Sequence, residues 1–574
     1  MGSDTYKTAD ALLDALQETD VSYLFSNLGS DHPAIIEALA KAKDKNRTLP
    51  QVIICPHEYV ALSAAHGYYL LSGEAQAVFV HTDVGTQNLG GSLHNVARSR
   101  VPVFIFSGET PYTMNGELPG TRNSHINYLQ NVYDQRGIVR GYIKWENDIR
   151  TGKNVKQLVY RAMQLAKSEP QGPVYLTGAR EPLEEEVTPS DDLAHRWKAQ
   201  EKAALPMSGV KRIVNELIDA ENPVILTSYL GRNTEAVEQL ITFCEKLAIP
   251  MVESNPSTMN FPTNHPLHLG FKSEEVIPNA DVILVLDSDV PWIPSQVQPK
   301  QNCKLYYIDV DPIKEDIPFW HFPAEERYQA DVYQSLIQLN SYINQKELNE
   351  YPIRKRYHEL KNVHDQQRSM WKQQEVDVPK DVITPEWLTV CVRKVIDDDT
   401  IILNETITNA PVVARHLPRI KPGTMFINGG SSLGWNGGAA LGVKLAAPDK
   451  QVVSLTGDAS YLFSVPSSVY WMSRRYNAPF LTVIYNNQGW NATKNNLLKL
   501  YPDGVAQRDD RYWVNFDKPA DLSIIAEAAG GAFAMKVSNP EKLLQALKLG
   551  MEKVKSGQSA VIDVILPNIS NQKD

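Results

Sequence analysis

The order of hydrophobic and polar positions along the chain repeats one theme three times: a short apolar run, then a stretch of helical period. In the first third, Val21–Phe25 reads as a strand and Pro33–Lys43 as a helix. Gln51–Cys55 is a second strand, followed by an Ala-rich helix from Glu58 to Leu71. Ala77–His81 is a strand that meets a Gly-containing turn, with a helix over Leu89–Arg98 and a strand over Val101–Ser107 behind it. A second series has strands at Pro223–Thr227, Pro250–Glu253, Ala280–Asp287 and Leu305–Val310, with a helix over Thr234–Leu247. A third has strands at Thr400–Leu403, Thr424–Asn428, Gln451–Thr456, Phe480–Tyr485 and Ala560–Ile565. Strands that alternate with helices form parallel sheets covered on both faces. The pattern predicts an α/β chain of three consecutive doubly wound domains with mainly parallel sheets, over residues 1-190, 205-345 and 380-574. An acidic, polar stretch between Glu184 and Met207 reads as a linker, and the highly charged stretch from Asn349 to Asp381 as an exposed connecting helix.

Composition narrows the function more than the fold. The 574 residues are 43% hydrophobic and 22% charged, which provides a core of normal size. A net charge of −10 argues against nucleic acid or an anionic membrane as partner. The four cysteines, Cys55, Cys244, Cys303 and Cys391, show no CxxC spacing, so neither a disulfide framework nor a zinc site is indicated. No stretch approaches ~18 uninterrupted apolar residues, and the first residues are polar, then amphipathic. A cytoplasmic protein is expected.

Candidate chemistry collects at the ends of predicted strands. Gly457-Asp458-Ala459-Ser460 closes QVVSLT, and Tyr485-Asn486-Asn487 closes PFLTVIY. Open α/β sheets bind ligands at the carboxyl tips of their strands. A carboxylate and a side-chain amide brought together there suit magnesium, which takes about six oxygens and shares them with phosphate and water. The turn after Asp458 also starts a helix, whose free N–H groups can meet a diphosphate. A Gly-Asp or an Asn-Asn alone is an ordinary turn, but here the two stand on two strand tips with 26 residues between them.

That arrangement resembles the signature of the thiamine-diphosphate-dependent enzymes, GDG followed by NN. The resemblance implies thiamine diphosphate and Mg2+ as cofactors. Asp458, the Asn487 side chain and the Gly489 carbonyl would hold the metal, and Gly457, Ala459, Ser460 and Asn487 would line the diphosphate. The chain departs from the signature at Ala459, where the second glycine usually stands, so φ there should be negative. Glu58, in CPHEYVALSAAHGYYLLSG, resembles the activating glutamate of the acetolactate synthase, benzoylformate decarboxylase and pyruvate decarboxylase superfamily, and should sit away from open solvent. A helix-opening acid favoured by the dipole is the plainer reading of the same residue. In NGGSSLGWNGGAALGVKLAAP, Leu433 matches the apolar residue that bends the cofactor. There Ser431, within the Gly430–Gly434 turn, falls beside the aminopyrimidine. Thr406 and Thr408 in LNETITNAP fall near the diphosphate. The order implied is a pyrimidine-binding domain, a middle domain and a diphosphate-binding domain.

Substrate-facing residues follow from the same comparison. FSNLGSDHP is similar to the FGNPGSNELP stretch of benzoylformate decarboxylases, making Ser30 a candidate for holding a substrate carboxylate. HTDVGTQN is similar to their HSAAGTGN, which puts His81 at the position of a proton relay. Gln130, in TRNSHINYLQNVYDQRG, resembles the glutamine of the synthase and benzaldehyde lyase branch. His57, His94 and His125 are expected to be structural. The middle-domain histidine of the decarboxylases has no match in DSDVPWIPSQVQP, where Trp292 and Pro294 stand instead, and the stretches that contact flavin in acetolactate synthases are missing, so FAD is not expected. Tyr461, Phe463, Trp435 and Trp490 permit a bulky substrate. The chemistry implied is decarboxylation of a 2-oxo acid, followed by protonation to an aldehyde or by carboligation to an aldehyde or ketone acceptor. An acyloin lyase and a non-catalytic cofactor-binding relative are the alternatives. Glu58 and Asp458 lie on different domains that this superfamily joins across subunits, so a homodimer or homotetramer is expected.

Overall fold

The computed structural model describes residues 5–376, 381–516 and 518–568, so the expected domain limits at 1, 380 and 574 lie outside the described residues. Three sheets, each parallel throughout, follow one another along the chain. The first contains β1 (Tyr23–Ser26), β2 (Gln51–Ile54), β3 (Gln76–Val80), β4 (Val103–Glu109), β5 (Trp145–Ile149) and β6 (Val174–Ala179), in the order β2-β1-β3-β4-β6-β5. The second contains β7 (Pro223–Thr227), β8 (Met251–Glu253), β9 (Val282–Leu286), β10 (Lys304–Asp309) and β11 (Glu326–Gln329), ordered β11-β10-β9-β7-β8. The third contains β12 (Ile401–Glu405), β13 (Met425–Phe426), β14 (Val452–Gly457), β15 (Leu481–Asn486), β16 (Phe533–Val537) and β17 (Ala560–Ile565), ordered β13-β12-β14-β15-β17-β16.

The expected three α/β units with parallel sheets are therefore what the chain forms. Central strands are apolar on both faces because helices cover both: β3 and β4 are buried along nearly their whole length, with Ala77 opposite Phe104 and Val78 opposite Ile105. Strands missing from the pattern reading are β5, β6, β11 and β16. Three of these lie at sheet edges and carry polar residues: WENDI, ERYQ and FAMKV. The expected turn around Gly85 is instead a helix, Thr82–Asn88, running through Leu89 into Gly90–Arg98. Gly85 has no positive φ, and its role is space, since a Cβ there would come within 3.2 Å of Val80 and 3.3 Å of Glu58 Oε1. The charged connecting helix, Glu350–Gln374, buries only His364 among its residues.

The first and third sheets share one topology when each is counted from its own first strand. Their second strands, β2 and β13, lead into the helices Glu58–Ser72 and Trp435–Ala446, which pack against each other. Small residues let the two backbones touch: a Cβ on Gly442 would lie 1.9 Å from the Ala64 carbonyl oxygen, and one on Gly67 would lie 2.2 Å from that of Ala439. One apolar core runs through this crossing, from Val60, Ala61 and Ala64 to Trp435, Ala439 and Val443. The carboxyl tips of both sheets are thereby held in a fixed relation.

Candidate functional site

Asp458 follows β14 and opens the helix Asp458–Phe463. It is 3% exposed; Oδ1 accepts the Ala459 N–H at 2.8 Å and Oδ2 the Gly489 N–H at 2.9 Å. The second bond ties the turn after β14 to the turn after β15. Burial pushes the carboxyl up to about 6, against the pull of those backbone N–H groups. Ala459 is helical and does not take a positive φ, as the loss of the signature glycine requires. The left-handed position falls on Gln488 instead, at φ 61°, and this turn presents Asn487 and Gly489 to the same place.

Two buried acceptors at this place lack partners: Asn487 Oδ1 and Ser460 Oγ. Leaving a buried polar atom unpaired costs about 1–3 kcal/mol, so such atoms point to something that the fold is built to receive. A carboxylate has about four lone-pair sites, of which two on Asp458 are taken by N–H donors. Asp458 and Asn487, with backbone oxygen beside them, form a set of hard oxygen donors that fits Mg2+. Among the described residues no group of three His, Cys, Asp or Glu side chains could hold a metal, so a cation here depends on amide and backbone oxygens as well as Asp458.

The same cavity is lined by Thr406, Thr408, Leu433, Gly457, Ala459 and Ser460. Thr406 is buried, its N–H and Oγ1 both donating to Asn404 Oδ1 at 3.2 and 2.7 Å, and Ile407 beside it takes φ 51°. Leu433 is anchored through its carbonyl, which accepts the Tyr59 hydroxyl at 2.6 Å. Ser431 lies elsewhere: it is exposed, at φ 61°, on a cleft it shares with Arg98, Arg100 and Arg232. Of the four aromatics proposed for a bulky substrate, Trp435 and Tyr461 belong to the core, while Phe463 and Trp490 are exposed. Trp435 donates its indole N–H to His66 Nδ1 at 3.1 Å. A buried carboxylate that the sequence reading missed, Glu405, holds the loop that ends in Leu433. It accepts the N–H groups of Gly434 and Asn436 at 2.8 and 2.9 Å and thus caps the helix Trp435–Ala446. Its one signal in the sequence is an acid at the tip of the apolar run IILNE.

The remaining predicted residues gather at the tips of the first sheet. Glu58 opens its helix behind β2, 8% exposed, and its Oε2 accepts the Asn88 amide at 3.1 Å, so it stands away from open solvent as expected. His57 accepts the Tyr59 N–H, His94 donates from Nε2 to the Gly430 carbonyl at 2.8 Å, and His125 is exposed. His81, behind β3, pairs through Nδ1 with Asp31 Oδ1 at 2.5 Å, and the Gln130 side chain acts on it from nearby. Ser30 precedes Asp31 and is exposed. Trp292 is buried edge-on to Phe322, so the second unit supplies no histidine at that point. None of Ser30, Glu58, His81 and Gln130 lines the Asp458 cavity.

Comparison with known proteins agrees with this division. Residues 6–138 match the family described as thiamine pyrophosphate enzyme, N-terminal TPP binding domain; 210–339 match its central domain, and 406–564 its C-terminal TPP binding domain. Acetolactate synthase of Bacillus subtilis (strain 168) is 23% identical over 557 residues, spanning 95% of this chain and 90% of the relative. Benzoylformate decarboxylase of Pseudomonas aeruginosa is 24% identical over 507 residues, spanning 86% and 88%. The fold is that of the thiamine diphosphate-dependent 4-hydroxybenzoylformate decarboxylase of Rhodococcus jostii RHA1, with a TM-score of 0.80 at 21% identity over 98% of this chain and 99% of that one. With three matched domains in sequence order and the open acceptors of Asn487 and Ser460 beside Asp458, the chain belongs to the thiamine pyrophosphate enzymes.

Proposed function

We propose that this enzyme cleaves the bond between the carbonyl and carboxyl carbons of a small 2-oxo acid, releasing carbon dioxide and then an aldehyde or a carboligation product. The observation that carries the reading is the pair of half-sites: open oxygen acceptors around Asp458 on the third sheet, and a buried Glu58 on the first. Thiamine diphosphate, when bound, supplies a carbon nucleophile and an electron sink. Asp458, Asn487 and the Gly489 carbonyl hold Mg2+; the N–H groups at the start of the helix Asp458–Phe463, with Ser460, Thr406 and Thr408, hold the diphosphate. Leu433, which lines the same cavity, would pack against the cofactor. Glu58 exchanges a proton with the aminopyrimidine from its carboxyl, screened from water by its burial. Ser30 orients the substrate carboxylate, and His81 with Gln130 governs proton delivery. We read residues 1-190 as the pyrimidine-binding domain, 205-345 as a middle domain and 380-574 as the diphosphate-binding domain.

At least two copies assemble in this reading, because Glu58 does not line the cavity that Asp458 lines in its own chain. Large apolar side chains left exposed support it: Leu129 and Tyr133 on the first unit, Tyr501 and Trp513 on the third. No helix among the described residues is long and apolar enough to cross a membrane.

Purified protein with thiamine diphosphate and Mg2+ should be given pyruvate, phenylpyruvate and benzoylformate separately, with and without an added aldehyde, and followed by NMR. Carbon dioxide and an aldehyde or hydroxyketone are expected from the wild type, and none from Glu58→Gln, which should still bind the cofactor. A wild type that cleaves acyloins but releases no carbon dioxide from any 2-oxo acid would replace this reading with the lyase.

A further inference from the structure

We propose that Asp31 is the positioning residue of His81. Its buried carboxylate accepts a hydrogen bond from the Nδ1 N–H, so that His81 presents Nε2 toward the substrate and gives its proton from that nitrogen. The delivery step rests on the decarboxylase reading above; the pairing itself does not.

The geometry is specific. Asp31 is 3% exposed and sits between β1 and the helix that begins at Pro33. Its Oδ1 lies 2.5 Å from His81 Nδ1, and its Oδ2 accepts the Thr82 N–H at 3.1 Å, so the carboxylate grips the backbone beside His81 as well as the ring. Two glycines make room for the pair. A Cβ on Gly29 would fall 2.2 Å from His81 Nδ1, and one on Gly108 would fall 1.9 Å from Asp31 Oδ2. Neither glycine has a positive φ, so close approach, not turn geometry, explains both.

Other groups around the pair do not replace this partnership. His32 Nδ1 is 2.8 Å from the same Asp31 oxygen, but its ring is fully buried against Phe79 and Phe106 and cannot reach substrate. His81 keeps 16% of its side chain exposed. The hydrogen bond to Asp31 raises His81 above the ordinary imidazole range against the loss of water, with Gln130 and the charge of Asp83 adding to it. Burial alone would raise Asp31, yet His32 and His81 outweigh it and hold the carboxyl below the usual carboxylate range. An ionised acceptor therefore faces a ring that favours its proton, and a carboxylate on one imidazole nitrogen fixes which nitrogen does the chemistry. In the step itself the Nε2–H bond breaks, and the proton bonds to the electron pair that the broken C–C bond to the departing carbon dioxide leaves at the former carbonyl carbon. The N–H electron pair stays on Nε2, and solvent water restores the proton.

The test is Asp31→Asn, which keeps the shape and removes the charge. Histidine C2–H exchange, read residue by residue in the mass spectrum, gives a titration midpoint for His81 with no turnover needed. The midpoint is expected to move to lower pH in Asp31→Asn while that of His125 stays put. Should Asp31→Asn fail to fold, Gly29→Ala pushes His81 off a carboxylate that remains in place and should shift the midpoint the same way. In turnover, His81→Ala should lose on the order of 100-fold in kcat, and adding Asp31→Asn to it should cost nothing more. An unmoved His81 midpoint, or a further loss in the double variant, would overturn the proposal. If the wild type releases no carbon dioxide, the decarboxylase reading fails by itself, and the midpoint still decides the role of Asp31.

Discussion

Glu405 is a buried carboxylate held by backbone N–H groups. It is 1% exposed, and burial pushes it up to about 8 even though backbone N–H groups of Asn436, Gly434 and Trp435 oppose the shift. An unfolded glutamate titrates at about 4.3, so the folded chain binds this proton more tightly. The stability that this adds is complete below the unfolded value and is lost as pH rises through about 8. Glu405→Gln should therefore become more favourable relative to wild type from pH 5 to pH 9, whatever its offset from the lost acceptor. Denaturant midpoints for both proteins across that range read it, and a constant difference would sink the idea. Residues such as Asp458, Asn487, Glu58 and His81 are legible in the sequence because each ends an apolar run and carries its own chemistry. Glu405 and Asp31 are not, because their meaning lies in partners 29 and 50 positions away that only the fold brings near.

Two helices, Glu58–Ser72 and Trp435–Ala446, join the first and third sheets. Their contact is backbone on backbone, so their glycines are structural in a different way from those at a turn. Gly442→Ala would set a methyl 1.9 Å from the Ala64 carbonyl oxygen and 2.6 Å from the Tyr68 nitrogen. Forcing a methyl into such a contact costs about 1–3 kcal/mol, more than the ~1 kcal/mol that alanine gains over glycine inside a helix. A lowered thermal midpoint is expected by calorimetry, and an unchanged or raised one would show that the helices can separate freely. At this scale the pattern of apolar residues gave away most of the core strands, since β3, β9, β14 and β15 are mostly apolar and buried along nearly their whole length. Edge strands β5, β11 and β16 escape it because a strand paired on one side keeps polar residues. Central β6, VYLTGA, is buried along its whole length and is legible on the same grounds as β3.

At the scale of the whole molecule, the first and third units are copies of one topology, with Glu58 behind β2 in one and Asp458 and Asn487 at the tips of β14 and β15 in the other. In the proposed reading such a chain carries half of each of two sites, and a second copy facing it in reverse completes both. Closed two-fold pairing satisfies such a chain, because each subunit gives what the other lacks. This arrangement can be tested with two dead proteins. Glu58→Gln removes the proton-handling half, and Asp458→Asn the metal-binding half; each alone should be inactive. In a mixed dimer one site receives both lesions and the other receives none. Random pairing makes about half of the dimers mixed, and one of their two sites is intact, so about a quarter of wild-type activity should return. If Glu58 and Asp458 instead worked within one chain, every site in the mixture would hold one lesion and none would recover. Co-expression of the two variants, with turnover measured on the purified mixture, separates these outcomes without any knowledge of which 2-oxo acid is natural, provided one is accepted.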